Sequence, residues 1–146
     1  MIALRIFVLA AFSAAVISPY ASPAEADAKP AKAMAAKLNT VRAQHGLPAL
    51  RVAPKLMRSS RAYARRLART GGLYHGTAYR VRGFRVSGEM LASDLGSKIR
   101  LGGPVRMWLN SPGHRALMLS RAFTYVGASP VRRRGRTVWV VHLGAR

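Results

Sequence analysis

The run of residues that most constrains the fold is 137–143, near the C-terminal end, which reads TVWVVHL. Successive side chains of a β-strand point to opposite faces of a sheet. Val138 and Val140 therefore fall on one face of such a strand, whereas Trp139 and Val141 fall on the other. A strand that is apolar on both faces is covered on both faces. We expect a sheet with helices on each side of it.

A second β-rich run, residues 123–131, comes before this one, and the sequence RRRGR of residues 132–136 separates the two. A short, glycine-containing break between two β-rich runs is typical of a hairpin. Residues 50–52 indicate a short extended connection. Residues 73–103 show no sustained hydrophobic period, and we expect them to be irregular.

Four helices are predicted from hydrophobic spacing and helix-start signals. In the first, Met34, Leu38 and Val41 recur at i, i+4 and i+7. The third carries Trp108, which we expect in the core because a large aromatic side chain contributes heavily to packing. The fourth begins at Ser111, an N-cap residue type followed by proline. Helices on both sides of the hairpin predict an α+β fold, a three-layer α-β-α sandwich with a small antiparallel sheet.

The second helix, residues 54–70, has two contrasting faces. One face is largely apolar and consists of Leu56, Ser60, Tyr63 and Leu67. The opposite face, which we call the arginine face, consists of Arg58, Arg61, Arg65 and Arg69. This amphipathic pattern predicts that the helix packs its apolar face on the sheet and exposes its arginines to water.

The N-terminal region has the features of a secretory signal. Arg5 precedes an apolar run at residues 6–17, and Ala24 and Ala26 form the small-x-small pattern of a cleavage site. The run is shorter than the roughly 20 residues that a membrane-spanning helix needs. We therefore predict a signal peptide at residues 1–26, a polar linker at 27–32 and one domain at 33–146. The protein is expected to be secreted or periplasmic and not integral to a membrane.

The chain is strongly basic, with 25 Lys and Arg against 4 Asp and Glu and a net charge of +21, yet half of its residues are hydrophobic. The cations must therefore coat a folded surface. Anionic envelope components, lipid or lipopolysaccharide, are the expected partners of an exported cation. Nucleic acid is a less favoured partner, because export separates the protein from it and because no aromatic residues alternate with the arginines. A charge that only maintains solubility is the simplest alternative. The chain has no cysteine, which excludes disulfides, thiolate zinc sites and thiol nucleophiles.

Few residues could carry acid–base or metal chemistry. Glu89 stands out in a chain with so few acids, although it could simply pair with an arginine. His114 lies in the first turn of the fourth helix, where the helix dipole disfavours imidazolium, and this suits a base or a ligand. Alternatively, His114 and Ser111 form a helix cap. His75, taken alone, could likewise be structural or functional. The spacing of His75, Glu89 and His114 matches no compact metal motif.

The two remaining histidines are predicted to be structural. His45 ends the first helix, where a cation is favourable. His142 lies in the covered strand, where a histidine is usually a core group that hydrogen-bonds to a neighbour.

Several segments together resemble the CAP superfamily, the SCP-like extracellular domain, in its short bacterial branch. They are LNTVR at 38–42, GLPAL at 46–50, GEMLA at 88–92, WLNSPGHR at 108–115, YVG at 125–127 and WVVHLG at 139–144. The resemblance implies an α-β-α sandwich and a cleft lined by two histidines and two glutamates, a set that binds a divalent metal such as zinc in some members.

His75, Glu89 and His114 match three of these four positions, and they are the metal ligands that the resemblance implies. Ser111 stands where the second glutamate is expected, and Met90 replaces an asparagine, so the site lacks one carboxylate. The resemblance thus predicts a ligand-binding cleft of His75, Glu89, Ser111 and His114. It predicts an exported, envelope-associated binding protein, with a metal-assisted hydrolase that uses Glu89 as base or ligand as the alternative.

Overall fold

A computed structural model describes residues 23–76, 81–96 and 98–146. The elements are α1 (Pro23–Gln44), β1 (Arg51–Val52), α2 (Pro54–Thr70), β2 (Val86–Leu95), α3 (Gly102–Asn110), α4 (Pro112–Met118), β3 (Tyr125–Arg133) and β4 (Arg136–Ala145). The strands form one sheet in the order β1-β3-β4-β2. β1 pairs with β3 in parallel, and the other two pairings are antiparallel.

Helices cover the sheet on both faces, which confirms the three-layer α-β-α sandwich. α2 packs on one face, where Leu67 and Ala64 contact Leu91, Val138 and Val140. α1, α3 and α4 pack on the other face over a larger core, whose fully buried members are Met34, Leu38, Met90, Ala92, Trp108, Val126, Ala128, Trp139, Val141 and Leu143. The apolar residues on both faces of β4 thus serve two separate cores, as predicted.

The β3–β4 hairpin is also confirmed, with Arg134 and Gly135 as its two turn residues. Their φ angles of 49° and 75° lie in the left-handed region. Turns with positive φ at both central positions match the twist of the strands they connect. Glycine adopts this conformation without strain, whereas an arginine does so at a cost.

β2 lies in the stretch that the sequence indicated as irregular, so that prediction was wrong for residues 86–95. The strand pairs with β4 over its whole length, from Val86 opposite Ala145 to Leu95 opposite Arg136. Hydrogen bonds to β4, the most strongly predicted strand, hold β2 extended although its own sequence pattern does not indicate a strand. β2 is the strand that carries Glu89, so this difference bears directly on the site.

Residues 27–32 also differ from the prediction, because they belong to α1 and not to a loose linker. Within this segment Ala31 is 1% exposed, so the helix begins to pack before the amphipathic stretch at Met34. Alanine and lysine favour helix, which offsets the cost of Pro30. The predicted signal peptide falls almost entirely outside the described residues. No helix among the described residues is long and apolar enough to cross a bilayer.

A buried arginine fixes the end of α1 to the end of α4. The guanidinium of Arg42, which is 0% exposed, donates to the carbonyl oxygens of Pro48, Met118 and Ser120 at 2.8–3.0 Å. Burial, with a smaller contribution from the nearby charge of Arg121, lowers the pKa of Arg42. Two of these carbonyls, those of Met118 and Ser120, lie at the C-terminal end of α4, where positive charge is favourable. This contact helps to position the helix that carries His114.

Candidate functional site

The site is built around Glu89, an acid 8% exposed on β2. In the sheet, Glu89 lies directly opposite His142 of β4. Two residues further along β2, the carbonyl oxygen of Leu91 accepts a hydrogen bond of 2.8 Å from the indole Nε1 of Trp108. α3 is thereby tied to the strand that carries the acid. The buried position of Trp108, 0% exposed, confirms its predicted place in the core.

Three donors from two segments converge on the Glu89 carboxylate. Oε1 accepts from Nδ1 of His75 at 2.8 Å and from the backbone N–H of Gly76 at 3.2 Å. Oε2 accepts from Nε2 of His142 at 3.1 Å. An ionised carboxylate only accepts, so these bonds place a proton on Nδ1 of His75 and on Nε2 of His142. Both oxygens of Glu89 are therefore occupied by the protein itself.

These contacts shift the pKa values of the buried pair. Burial raises the pKa of Glu89, but the hydrogen bonds from His142, His75 and Gly76 outweigh it and hold that pKa below its ordinary value. Burial lowers the pKa of His142, against the opposing effect of Glu89. The acid is thus an anion and His142 is a neutral ring at neutral pH. The pair orients its neighbours by hydrogen bonding rather than by exchanging protons.

His114 completes the exposed side of the site. Its Nδ1 lies 2.9 Å from the hydroxyl oxygen of Ser111, and its ring centroid lies 6.0 Å from that of His75. Burial and the neighbouring His75 lower the pKa of His114. Because each ring is held through Nδ1, Nε2 is the nitrogen on each that can meet a ligand. The serine hydroxyl contacts the imidazole and makes no side-chain capping bond to α4.

The structure thus brings together the four predicted residues His75, Glu89, Ser111 and His114. Among the described residues, no group of three or more His, Asp or Glu side chains is arranged to hold a metal ion. Glu89 lies behind His75 and orients it, as the acceptors of metal-binding histidines do. Of the three implied ligands, Glu89 has both carboxylate oxygens bonded within the protein. His45 lies apart, where its Nδ1 donates to the Val41 carbonyl at 2.9 Å.

Two residues of the site, His142 and Tyr63, were not predicted from the sequence to belong to it. His142 was assigned to the core, correctly, but its partner is the site acid. Tyr63 of α2 stacks on His142, with ring centroids 6.4 Å apart, and its hydroxyl donates to the Tyr74 carbonyl at 2.6 Å. Burial, followed by the charge of Glu89, raises the pKa of Tyr63. Tyr63 thereby holds the residue next to His75 against α2.

The arginine face lies on the outer side of α2. Arg58, Arg65 and Arg69 are exposed, as predicted, whereas Arg61 is half-buried and makes contacts within the protein. The exposed Arg66 adds a further charge to this helix. The apolar face is buried through Leu56, Ser60, Ala64 and Leu67.

Solved structures with this fold come from bacteria and from a parasitic worm. An outer surface protein from Borrelia burgdorferi has 22% identity and a TM-score of 0.69, over 79% of this chain and 91% of its own. An extracellular protein containing a SCP domain from Bacillus anthracis has 18% identity and a TM-score of 0.68, over 88% of this chain but 45% of its own. Venom allergen-like protein 4 from Schistosoma mansoni has 13% identity and a TM-score of 0.66, over 78% and 86%. These likenesses show the fold alone.

Sequence comparison extends the match from fold to family. No curated protein matches the sequence. Residues 35–143, however, match the family described as CAP, Cysteine-rich secretory protein family, and this stretch runs from α1 into β4 and includes every residue of the site. The chain therefore belongs to the CAP family.

Proposed function

We propose that this chain is an exported, envelope-associated binding protein whose ligand site is the cleft between His75 and His114. The N-terminal sequence pattern and the extracellular or outer-surface origin of the similar bacterial structures support export. The cleft supports binding, because it presents polar groups that the protein has already oriented.

The observation that carries this proposal is the pair of imidazoles, 6.0 Å between ring centroids, each held through Nδ1. His75 donates from Nδ1 to the Glu89 anion, which leaves Nε2 as the nitrogen that can present a lone pair. His114 presents the same atom when its Nδ1 donates to Ser111. Two imidazole lone pairs on neighbouring rings suit a divalent metal or a hydrogen-bond donor on a ligand.

The residues fit a weak, two-imidazole metal site better than the three-ligand site that the resemblance implied. Zinc in proteins usually has at least three protein ligands, with water completing a catalytic site. Here His75 and His114 would hold the metal, and water would supply the remaining ligands. Bound Zn²⁺ would act as a Lewis acid toward a ligand oxygen.

We expect saturable, pH-dependent binding of Zn²⁺ to this pair. Protonation of either ring removes a ligand, so affinity falls as pH is lowered. Because burial and His75 lower the pKa of His114, that ring stays neutral below the ordinary imidazole pKa. The contribution of His114 to affinity should therefore be lost only below the ordinary imidazole pKa of about 6.5. Calorimetric titrations between pH 5 and 8 test this, and an affinity that rises toward acid would contradict it.

A metal-assisted hydrolase, the alternative, has less support from the geometry. A carboxylate that acts as a general base needs an oxygen within reach of the water it activates. Both oxygens of Glu89 are instead engaged by His75, Gly76 and His142. Assays of the zinc-loaded protein on peptide and ester substrates would reveal hydrolysis if it occurs.

Export itself is tested at the N-terminus. We expect the mature protein to begin near Asp27, because small residues precede this position and the apolar run ends within reach of a signal peptidase. N-terminal sequencing of protein recovered outside the cytoplasm measures this directly. Recovery there with Met1 intact would contradict the proposal.

The arginine face supports association with an anionic surface. Its three exposed members lie on the outer side of one helix, and each can contribute about 1 kcal/mol near an anionic membrane. We expect replacement of Arg58, Arg65 and Arg69 by glutamine to weaken binding to phosphatidylglycerol-containing vesicles about 100-fold at low salt. Co-sedimentation measures this binding.

The control changes the same number of charges elsewhere, at the exposed Arg100, Arg106 and Arg115. This variant should bind within a few-fold of the wild type, because its charges lie outside α2. Equal binding of the wild type to neutral and anionic vesicles would contradict envelope association through charge. So would an equal loss in the two variants, which would indicate that net charge alone decides.

A further inference from the structure

One end of the sheet combines concentrated positive charge with an exposed apolar side chain. We call it the hairpin tip and define it as residues 132–136, which contain the β3–β4 turn, together with Leu95 and Gly96 at the end of β2. Hydrogen bonds join its two parts: Gly96 N–H donates to the Gly135 carbonyl at 2.9 Å, and Arg132 Nε donates to the Gly96 carbonyl at 3.3 Å. The tip is therefore one connected structure rather than two independent loops.

The charges of the tip oppose one another in the free protein. Arg133 and Arg136 are direct cross-strand partners, and like charges in this arrangement are unfavourable. Arg69, at the end of the arginine face, joins Arg133, Arg134 and Arg136 around one open cleft. Arg136 is partly committed to the protein, because it donates to the Ser93 hydroxyl and the Gly71 carbonyl. The other three are placed to bind an anion, which would relieve their repulsion.

No carboxylate among the described residues lines this cleft. Glu89 shares this face of the sheet but lies farther along β2, where His75 and His142 engage its carboxylate. The nearest acid in sequence is Asp94, which follows Ser93 on β2 and therefore points to the opposite face. Asp94 lies instead beside Gly103 at the start of α3, with Oδ2 3.8 Å from where a Cβ of that glycine would be. The cleft is thus uniformly positive.

The backbone conformation of the turn is a second indication that the tip has a specific role. Arg134 is the one residue other than glycine with positive φ in the part of the chain that the structure describes. Asparagine, aspartate and glycine are the residues that favour this turn position. An arginine there sacrifices local stability and places a charge at the end of the hairpin.

Leu95 indicates which class of anion the cleft binds. It lines the same cleft and is 78% exposed, the most exposed large hydrophobic side chain among the described residues. A soluble phosphate would use the arginines and leave the leucine in water. An anionic membrane uses both, because arginines meet lipid phosphates while an apolar side chain enters the boundary between headgroups and acyl chains.

We propose that the hairpin tip is the part of this protein that enters an anionic membrane. Leu95 inserts at the level of the headgroups, and Arg69, Arg133 and Arg134 bind lipid phosphates. The arginine face of α2 ends at the tip with Arg69. The helix therefore attracts the membrane, and the tip contacts the boundary between its headgroups and acyl chains. This inference rests on the proposed association with anionic envelopes and specifies where the contact is made.

Insertion is tested by a tryptophan at the tip. Leu95→Trp in the full-length protein is mixed with phosphatidylglycerol-containing vesicles whose lipids carry bromine on the acyl chains, a contact quencher. The two native tryptophans, Trp108 and Trp139, are both 0% exposed and provide a constant background. Met107→Trp is the control, since Met107 of α3 is also exposed, at 49%, but lies outside the tip. We expect quenching for position 95 and none for position 107.

The charge requirement is tested by Arg133→Gln combined with Arg134→Gly, where glycine suits the positive φ and preserves the turn. The matched control is Arg106→Gln with Arg115→Gln, which removes the same charge outside the tip. Unfolding curves check that all variants are folded. We expect at least about tenfold weaker vesicle binding for the tip pair and less than threefold for the control.

The outcomes separate the two proposals. If the wild type binds anionic vesicles but position 95 is not quenched, or the tip pair binds as the wild type does, the tip is not the contact and envelope association stands. If the wild type does not bind anionic vesicles, the association proposal fails and the tip proposal with it.

Discussion

Replacing Gly127 by alanine is expected to cost at least about 3 kcal/mol of unfolding free energy. Gly127 lies in β3 beneath α2, and a Cβ at this position would lie 2.1 Å from the Leu56 carbonyl carbon and 2.2 Å from the Met57 nitrogen. Both atoms belong to the backbone, so no side-chain rotation can relieve the contact. The helix would have to move away from the sheet, and the buried hydrogen bond of 2.7 Å from Ser60 Oγ to the Gly127 carbonyl would be strained or lost.

Gly113→Ala is the matched control. An added Cβ there meets nothing within 4 Å, and the residue lies in α4 with an ordinary φ. Alanine favours helix over glycine, so this variant should be as stable as the wild type or up to about 1 kcal/mol more stable. Urea denaturation measures both variants. Similar free energies for the two would mean that α2 does not approach β3 as closely as described.

Replacing Trp108 by alanine is expected to cost roughly 3–5 kcal/mol. The ring is fully buried in the larger core, between α3 and β2, and its removal leaves a cavity. It also leaves the Leu91 carbonyl without its 2.8 Å hydrogen bond, a separate cost for a buried acceptor. A loss below about 1 kcal/mol would show that the ring does not occupy the core.

Phenylalanine substitutions separate packing from hydrogen bonding. Trp108→Phe retains an aromatic ring but deprives the Leu91 carbonyl of its donor. Trp139 is equally buried, but its Nε1 has no hydrogen-bond partner in the described part of the chain. Trp139→Phe removes an unsatisfied group and should therefore cost about 1 kcal/mol less than Trp108→Phe. A reversed order would contradict the assigned hydrogen bond.

The sequence predicts those parts of the fold whose pattern is local. The double-sided β4, the hairpin and the amphipathic α2 follow from the spacing of neighbouring residues, and all three are confirmed. β2 could not be predicted in this way, because Glu89 and Ser93 occupy positions on its α2-facing side where an ordinary core strand has apolar residues. Local rules fail most often at such functional positions.

The site, like the fold, can be predicted where neighbouring residues determine it but not where residues distant in sequence do. The helix-start position of His114 follows from its neighbours, and the resemblance to the CAP family implies that His75 and Glu89 lie near it. The engagement of both Glu89 oxygens could not be predicted, because it depends on the register between β2 and β4, 53 residues apart at Glu89 and His142. That register underlies the role we propose for Glu89, which is to position His75 rather than to bind a ligand.

His75 and His114 together form the proposed ligand site. Calorimetric titration with Zn²⁺ at neutral pH tests it on the wild type, His75→Ala and His114→Ala. His45→Ala is the control, since this exposed ring lies apart from the cleft and contacts Val41. We expect saturable binding by the wild type and the control and its loss in both cleft variants. If the wild type does not bind saturably, or both cleft variants bind unchanged, the imidazole pair is not the metal site.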